Sequence, residues 1–550
     1  MHRSSTRASL RGQLSLPGLV IGIVGCVIIT SSSVYTALKM GALPWPTIFT
    51  SIVSLLLLRA FGRRSLNEVN ITQIIMSAGS MVAGGLAFTL PAAWMLGYTE
   101  MGWVQILGVA LAGTLLGLVV TALIRRRFVD ESDLEYPIGV AAAETLHAGA
   151  EGGKVARQLF GAMGISGAWC ALRDAAGAIP TLLFPLNVPG ASVAIYNSPM
   201  LVAVGFLLGG VPALFWLIGA VAGNVGIPVA TTALGWCDAA AASGVVNSLG
   251  MGLMMGSGLG VVLKDILPSM FRHMGSREAC VADAGSERPT HLGRFDAGTL
   301  ALLVAAAVLT ACILLRLPVL VCVALVALSF VTAIMSAQSV GRTGIDPMEI
   351  FGLIALLGIA AVSQVGEVKL FYIAGVVAVA CGLAGDVMSD FKTGAIIGTS
   401  PRAMWCGQAL GALVGTVVAA GVMVVLVQAY GPEAFGPGRE FVSAQASVVA
   451  TMVSGIPSPS AFGVGLVAGI ALYAVGVPAM MLGLGVYLPF YMSITACIGA
   501  GIKLVHDRVR RARGSEAGDE AGTIVASGVL GGESIIGVLI ALASVAGFLS

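Results

Sequence analysis

The chain has 550 residues, of which 57% are hydrophobic and only 10% charged, and its formal net charge is +2. A soluble domain is roughly a quarter charged, so this inventory cannot clothe a water-facing surface. So small a net charge also argues against nucleic acid or another polyanion as partner.

Apolar runs long enough to cross about 30 Å of hydrocarbon recur along most of the length. Their length and the low aromatic content, 6%, favour helices over the short alternating strands of a membrane barrel. The expected fold is an all-α polytopic membrane protein with about 14–17 transmembrane or re-entrant helices in two repeated halves. In chain order the expected spans are 16–40, 46–61, 70–96, 103–124 and 158–179, two short proline-broken pieces within 198–230, and 245–267. A polar linker over 268–296 divides the halves, residues 1–267 and 297–550. The second half continues with 297–315, 319–336, 349–365, 370–385, 403–430, 444–455, 462–476, 479–502 and 523–549. The first run is too long for a signal peptide and lacks a small-residue cleavage site, so it reads as an uncleaved span.

Arginine and lysine gather at the N-terminus, at Arg59, Arg63 and Arg64, at 125–127, in the linker and at 503–513. By the positive-inside rule these stretches and the N-terminus belong in the cytoplasm. Glycine stands at 74 of 550, and Gly407, Gly411 and Gly415, Gly113 and Gly117, and Gly465 and Gly469 repeat GxxxG. Small residues at this spacing let helix backbones approach closely in lipid and would permit a homodimer. The nine cysteines are scattered through apolar runs without metal-finger spacing, so no metal site or cofactor is expected.

The duplication shows in three ordered correspondences. Residues 28–44 match 331–347, pairing Ser33 with Ser336 and Lys39 with Arg342. GVPA recurs at 210–213 and 476–479, and GSGLGVVL (256–263) resembles GESIIGVL (532–539), setting Ser257 against Glu533. Duplicated halves with broken helices and a midplane site characterise secondary transporters.

Ionisable side chains within a span are costly and normally face a cavity or pair with one another. GDVMSDFKTGAIIGTSPR (385–402) concentrates Asp386, Asp390, Lys392 and Arg402. It reads either as a membrane-edge cap with snorkelling cations or as a re-entrant break at Gly394, Gly398 and Pro401. In the second reading Asp386, Asp390 and Lys392 form a proton-coupling or substrate-gating element. Glu533 has no neighbouring cation in sequence and is a further proton candidate. Secondary candidates are Tyr136, Glu144 and His147, the internal pair Arg173 and Asp174, Ser257 and Arg402.

No HExxH, nucleotide-binding or nucleophile-elbow motif occurs, so the chain does not read as an enzyme, and any transport is driven by an ion gradient. The competing readings are an uncoupled channel or scramblase and, less favoured, an intramembrane enzyme.

Five stretches resemble the oligopeptide transporter family, above all its yellow-stripe-like branch. They are YPIGVAAAETLHAG (136–149), SPMLVAVG (198–205), DFKTG with SPR (390–402), VYLPFYMSITACIG (486–499) and ASGVLGGESI (526–535). The resemblance implies a prokaryotic proton-coupled symporter of the inner membrane. It would import small peptides or peptide-like metal chelates by alternating access and hold no metal of its own.

Overall fold

The computed structural model describes residues 13–545 except 14, 42, 44–45, 100, 133, 149–151, 189–190, 234–238, 267, 269–296, 344–345, 455 and 513–519. The expected linker thus lies almost wholly outside the described residues.

The first half runs α1 Leu16–Met40, α2 Pro46–Ala60, α3 Leu66–Ala87, α4 Pro91–Met95, α5 Trp103–Arg125, α6 Pro137–Ala148 and α7 Gly152–Cys170. It continues through strands β1 Leu182–Val188 and β2 Ala191–Tyr196, then α8 Pro199–Leu208, α9 Gly210–Val221, α10 Ile227–Ala233 and α11 Ala239–Val261. The second half comprises α12 Ala297–Ile313, α13 Val319–Thr343, α14 Met348–Val362, α15 Glu367–Ile397 and α16 Pro401–Tyr430. Its last five helices are α17 Ala444–Ser454, α18 Pro459–Ala474, α19 Ala479–Tyr487, α20 Phe490–Ala512 and α21 Glu520–Val545.

Among the described residues nine helices are long and apolar enough to cross a membrane, and shorter apolar helices of 10–17 residues bring the total into the expected range. Large apolar side chains such as Leu302, Leu309 and Ile313 on α12 and Val464 and Val467 on α18 face outward. An exposed apolar belt of this kind needs lipid to cover it, so the chain is an integral, multi-pass membrane protein.

Three expectations are corrected. The segment from Gly385 to Ile397 is not re-entrant: α15 runs through it for 31 residues and ends at Gly398, whose φ of 89° is the left-handed C-terminal cap. Gly394 lies inside that helix, whereas Gly398 and Pro401 form an ordinary turn, with Pro401 opening α16. The expected span 479–502 is two helices, because Pro489 cannot donate to the preceding turn. The carbonyls thus freed are taken up by Asn224, whose Nδ2 lies 3.3 Å from Gly485 O and 2.9 Å from Leu488 O. The antiparallel hairpin β1–β2, pairing Leu182 with Tyr196, had not been expected at all.

Some packing contacts in the first part of the chain have a likeness in the second. α1 packs in parallel on α3, Gly18 facing Thr72 and Gly22 facing Ile75, as α13 packs on α15 through Ser336 and Gly385. α7 lies on α21, with Leu159 at Gly528 and Met163 at Gly532, just as α11 lies on α18, with Phe462 at Gly252 and Leu466 at Gly256. The break at Gly209, between α8 and α9, answers the break between α19 and α20.

Central helices meet antiparallel: Gln73 reaches Asp390 at one end of α3–α15, and Gly85 abuts Val379 at the other. α9 and α20 cross in the same sense, through Trp216 with Ser493 and Gly210 with Leu504.

The GxxxG faces are consumed inside the chain rather than left for a second copy. Gly407, Gly411 and Gly415 pack on α3, and Gly465 and Gly469 pack on Gly252 and Gly256. A Cβ at Gly415 would stand 2.3 Å from the Cα of Gly79. Neither backbone can yield without separating α3 from α16. Gly415→Leu is therefore expected to cost about 1–3 kcal/mol or more, read as a lowered unfolding temperature and loss of monodisperse protein in detergent.

Candidate functional site

Where the halves meet, a cavity of about 600 Å³ opens between the ends of α1 and α13, the start of α14, and α8, α11, α15 and α19. Its polar wall carries three carboxyl groups, Asp346, Glu349 and Asp386. Asp346 precedes Pro347 in the short connection from α13 to α14. Glu349 occupies the first turn of α14, where the helix N-terminus favours an acid. Asp386 projects from α15, one turn before Asp390.

Both carboxylate oxygens of Asp346 are buried and have no hydrogen-bond partner among the described residues. The nearby Ser336 hydroxyl donates elsewhere, to the Cys381 carbonyl at 3.1 Å. Among the described lining residues the one cation is Lys264, at the rim. Its Nζ donates to Ala474 O at 2.9 Å and stands 5.8 Å from the centre of the Tyr473 ring. The lining is otherwise largely apolar and rich in methionine, including Met40, Met81, Met348, Met480 and Met481.

Of the expected residues, Asp386 and Ser257 line this cavity, but Asp390 and Lys392 do not. Asp390 is buried and accepts hydrogen bonds from Gln73 Nε2 and Ser77 Oγ of α3, both at 2.5 Å. Lys392 Nζ donates to Leu134 O at 3.1 Å, and Thr393 Oγ1 donates to Gly139 O at 2.8 Å. DFKTG is therefore a joint that ties α15 to α3 and to the segment opening α6. Tyr136 belongs to the same joint: its N–H donates to Gly341 O at 2.9 Å and its hydroxyl to Ala337 O at 3.3 Å. Its φ of +50° is strained for a residue with a Cβ and is held by those two bonds. Arg402 is exposed on the first turn of α16, away from the cavity. Glu144 and His147 lie on α6, with side chains outside the described residues.

Glu533 is not isolated. Arg173, in the π-helical turn Ala171–Ala175 that closes α7, donates to its Oε1 at 2.9 Å. Ser198 Oγ reaches the same oxygen at 2.8 Å, and Met200 N reaches Oε2 at 2.8 Å. The carboxylate thus sits at the N-terminus of α8, where free amides and the helix dipole favour an anion. Arg173 also grips Asp174 with two bonds of 2.6 Å, and its guanidinium stands 5.4 Å from the Tyr196 ring centre. Tyr196 connects this cluster to Lys39, whose Nζ donates to Tyr196 OH at 3.0 Å and to Glu440 at 2.5 Å.

Two site residues went unnoticed in the sequence, Asp346 and Glu349. The available signal was IDPME (345–349), two acids flanking a proline at the junction that the repeat itself marks out.

Comparison with known proteins agrees with this architecture. The family profile described as "OPT oligopeptide transporter protein" matches residues 13–544. A Haemophilus influenzae protein named provisionally as an oligopeptide transporter is 26% identical over 597 aligned positions, covering 92% of this chain and 92% of its own. Metal-nicotianamine transporter YSL2 of Arabidopsis thaliana is 32% identical over 136 residues, 23% of this chain and 19% of that protein. YSL10 of Oryza sativa, provisionally a metal-nicotianamine transporter, is 28% identical over 232 residues, 37% of this chain and 32% of its own.

Proposed function

The chain belongs to the oligopeptide transporter family, and on that premise we propose that it is a proton-coupled symporter importing small oligopeptides or peptide-like metal chelates by alternating access. The observation that carries this reading is the acid-lined cavity, whose lining is drawn from both the first and the second part of the chain. A site so placed can be opened to either side by rocking one half against the other.

Asp386 is the leading proton carrier, because it lines the cavity and interacts electrostatically with Asp346, Glu349 and Asp390. Carboxyl groups that share a site do not ionise independently, so a cationic group arriving among them shifts their protons. Asp390 and Glu533 are second candidates; each is held by fixed donors, which suits a structural load better than exchange with water. The sequence carries no nucleotide-binding motif, which leaves an ion gradient as the energy source. The basic clusters favour the inner membrane of a prokaryote with the N-terminus in the cytoplasm. The outward apolar faces, not the glycine faces, would have to carry any homodimer.

The test is uptake of labelled tripeptide by purified protein in liposomes with an imposed proton gradient. Accumulation above the external concentration, abolished by a protonophore, is expected. Equilibration without accumulation, indifferent to the gradient, would instead establish an uncoupled channel.

A further inference from the structure

We infer that the acidic wall of the cavity is the subsite for a substrate ammonium group, so that the transported species is a peptide with a free N-terminal amine and not an anionic, carboxylate-wrapped metal chelate. The inference rests on the transport reading above and specifies the substrate for the same cavity.

Asp346 presents two buried oxygens that have no hydrogen-bond partner among the described residues. A buried carboxylate without a donor is costly, and an ammonium group brings three donors together with the compensating charge. Glu349 and Asp386 line the same cavity. The described cation of the lining, Lys264, is exposed at the rim, with its Nζ directed to Ala474 O at 2.9 Å.

Charge complementarity therefore selects a cation at this end. A chelate whose metal is wrapped in carboxylates would instead bring like charge against three acids. Met40, Met81, Met348, Met480 and Met481 also line the cavity, and unbranched thioethers repack around side chains of different shape. Specificity thus lies in the amine, with tolerance of sequence beyond it. The volume, about 600 Å³, sits within the range of small-ligand pockets.

Wild-type protein in liposomes is assayed with Ala-Ala-Ala, with its N-acetyl derivative and with nickel(II)–nicotianamine under one inward proton gradient. Loss of a charge-assisted hydrogen bond predicts that acetylation lowers uptake at least about tenfold. The chelate is expected neither to accumulate nor to compete. Asp346→Asn is expected to depress uptake of the free peptide and bring the free-to-acetyl ratio close to one. If that variant fails to fold, the wild-type pair alone decides. Equal uptake of both peptides, or a chelate that outcompetes the free peptide, overturns the inference while the transport reading stands. If no substrate moves with the gradient, the transport reading falls and takes this inference with it.

Discussion

Arg173→Met is expected to remove the folded protein from the membrane, and Arg173→Met combined with Glu533→Gln is expected to restore it. Both side chains are fully enclosed, with 0% and 2% of their surface exposed, and their ion pair is 2.9 Å long. Deleting one partner of such a pair leaves the other charge buried, a loss of about 3–5 kcal/mol, comparable to the whole stability of many domains. Removing both charges avoids that penalty, and replacing a buried pair by neutral residues is often nearly neutral. Glutamine can place its one amide oxygen to accept from Met200 N and donate its NH2 to Ser198 Oγ, whose hydroxyl can turn, so both positions once bonded to the carboxylate keep a partner. Asp174 loses its guanidinium as well, but it is partly exposed and water can take the place of that partner. The measurement is the fraction of monodisperse protein after detergent extraction, followed by thermal unfolding of single and double variants. A single variant as stable as wild type would show that the cluster bears no load. A double variant that folds also decides a functional point: gradient-driven accumulation that survives in it removes Glu533 from the list of proton carriers.

The reach of the sequence follows from what each feature needs in order to be seen. Helices such as α1 and α16 are legible because an apolar run of 25–30 residues has no alternative to spanning the membrane. The continuation of α15 through GDVMSDFKTGAII was not legible. Its glycines and charges read as a break, yet Gln73 and Ser77 on α3 supply the donors that let Asp390 stay inside a helix. The break at Pro489 was open to view but submerged in apolar sequence. Glu533 looked solitary because its cation comes from 360 residues away. The acidic wall is a convergence of the same kind: Asp346 and Glu349 resemble ordinary acids at a helix start until α15 brings Asp386 beside them. Single motifs were thus readable as chemistry, whereas their division between joint and cavity depended on contacts between distant helices.

That division sets the expected order of effects among the acids. Asp386→Asn should abolish accumulation yet leave exchange of labelled for unlabelled peptide across the liposome membrane, since exchange requires the cavity to alternate but no proton to be released. The size of the loss is fixed by the driving force. One pH unit supplies about 1.4 kcal/mol per proton, so one coupled proton sustains about tenfold accumulation, and a variant that carries none stops at equal concentrations. Asp390→Asn preserves the shape of the side chain and can still bond to Gln73 and Ser77 after an amide flip, so it should retain most of the gradient-driven uptake. If Asp390→Asn loses accumulation while Asp386→Asn keeps it, the proton is carried in the joint and the cavity acids serve only the substrate. If both lose it, the single helical turn between the two residues is itself the proton path, with Asp390 receiving from α15's cavity-facing acid what Asp386 takes from the water.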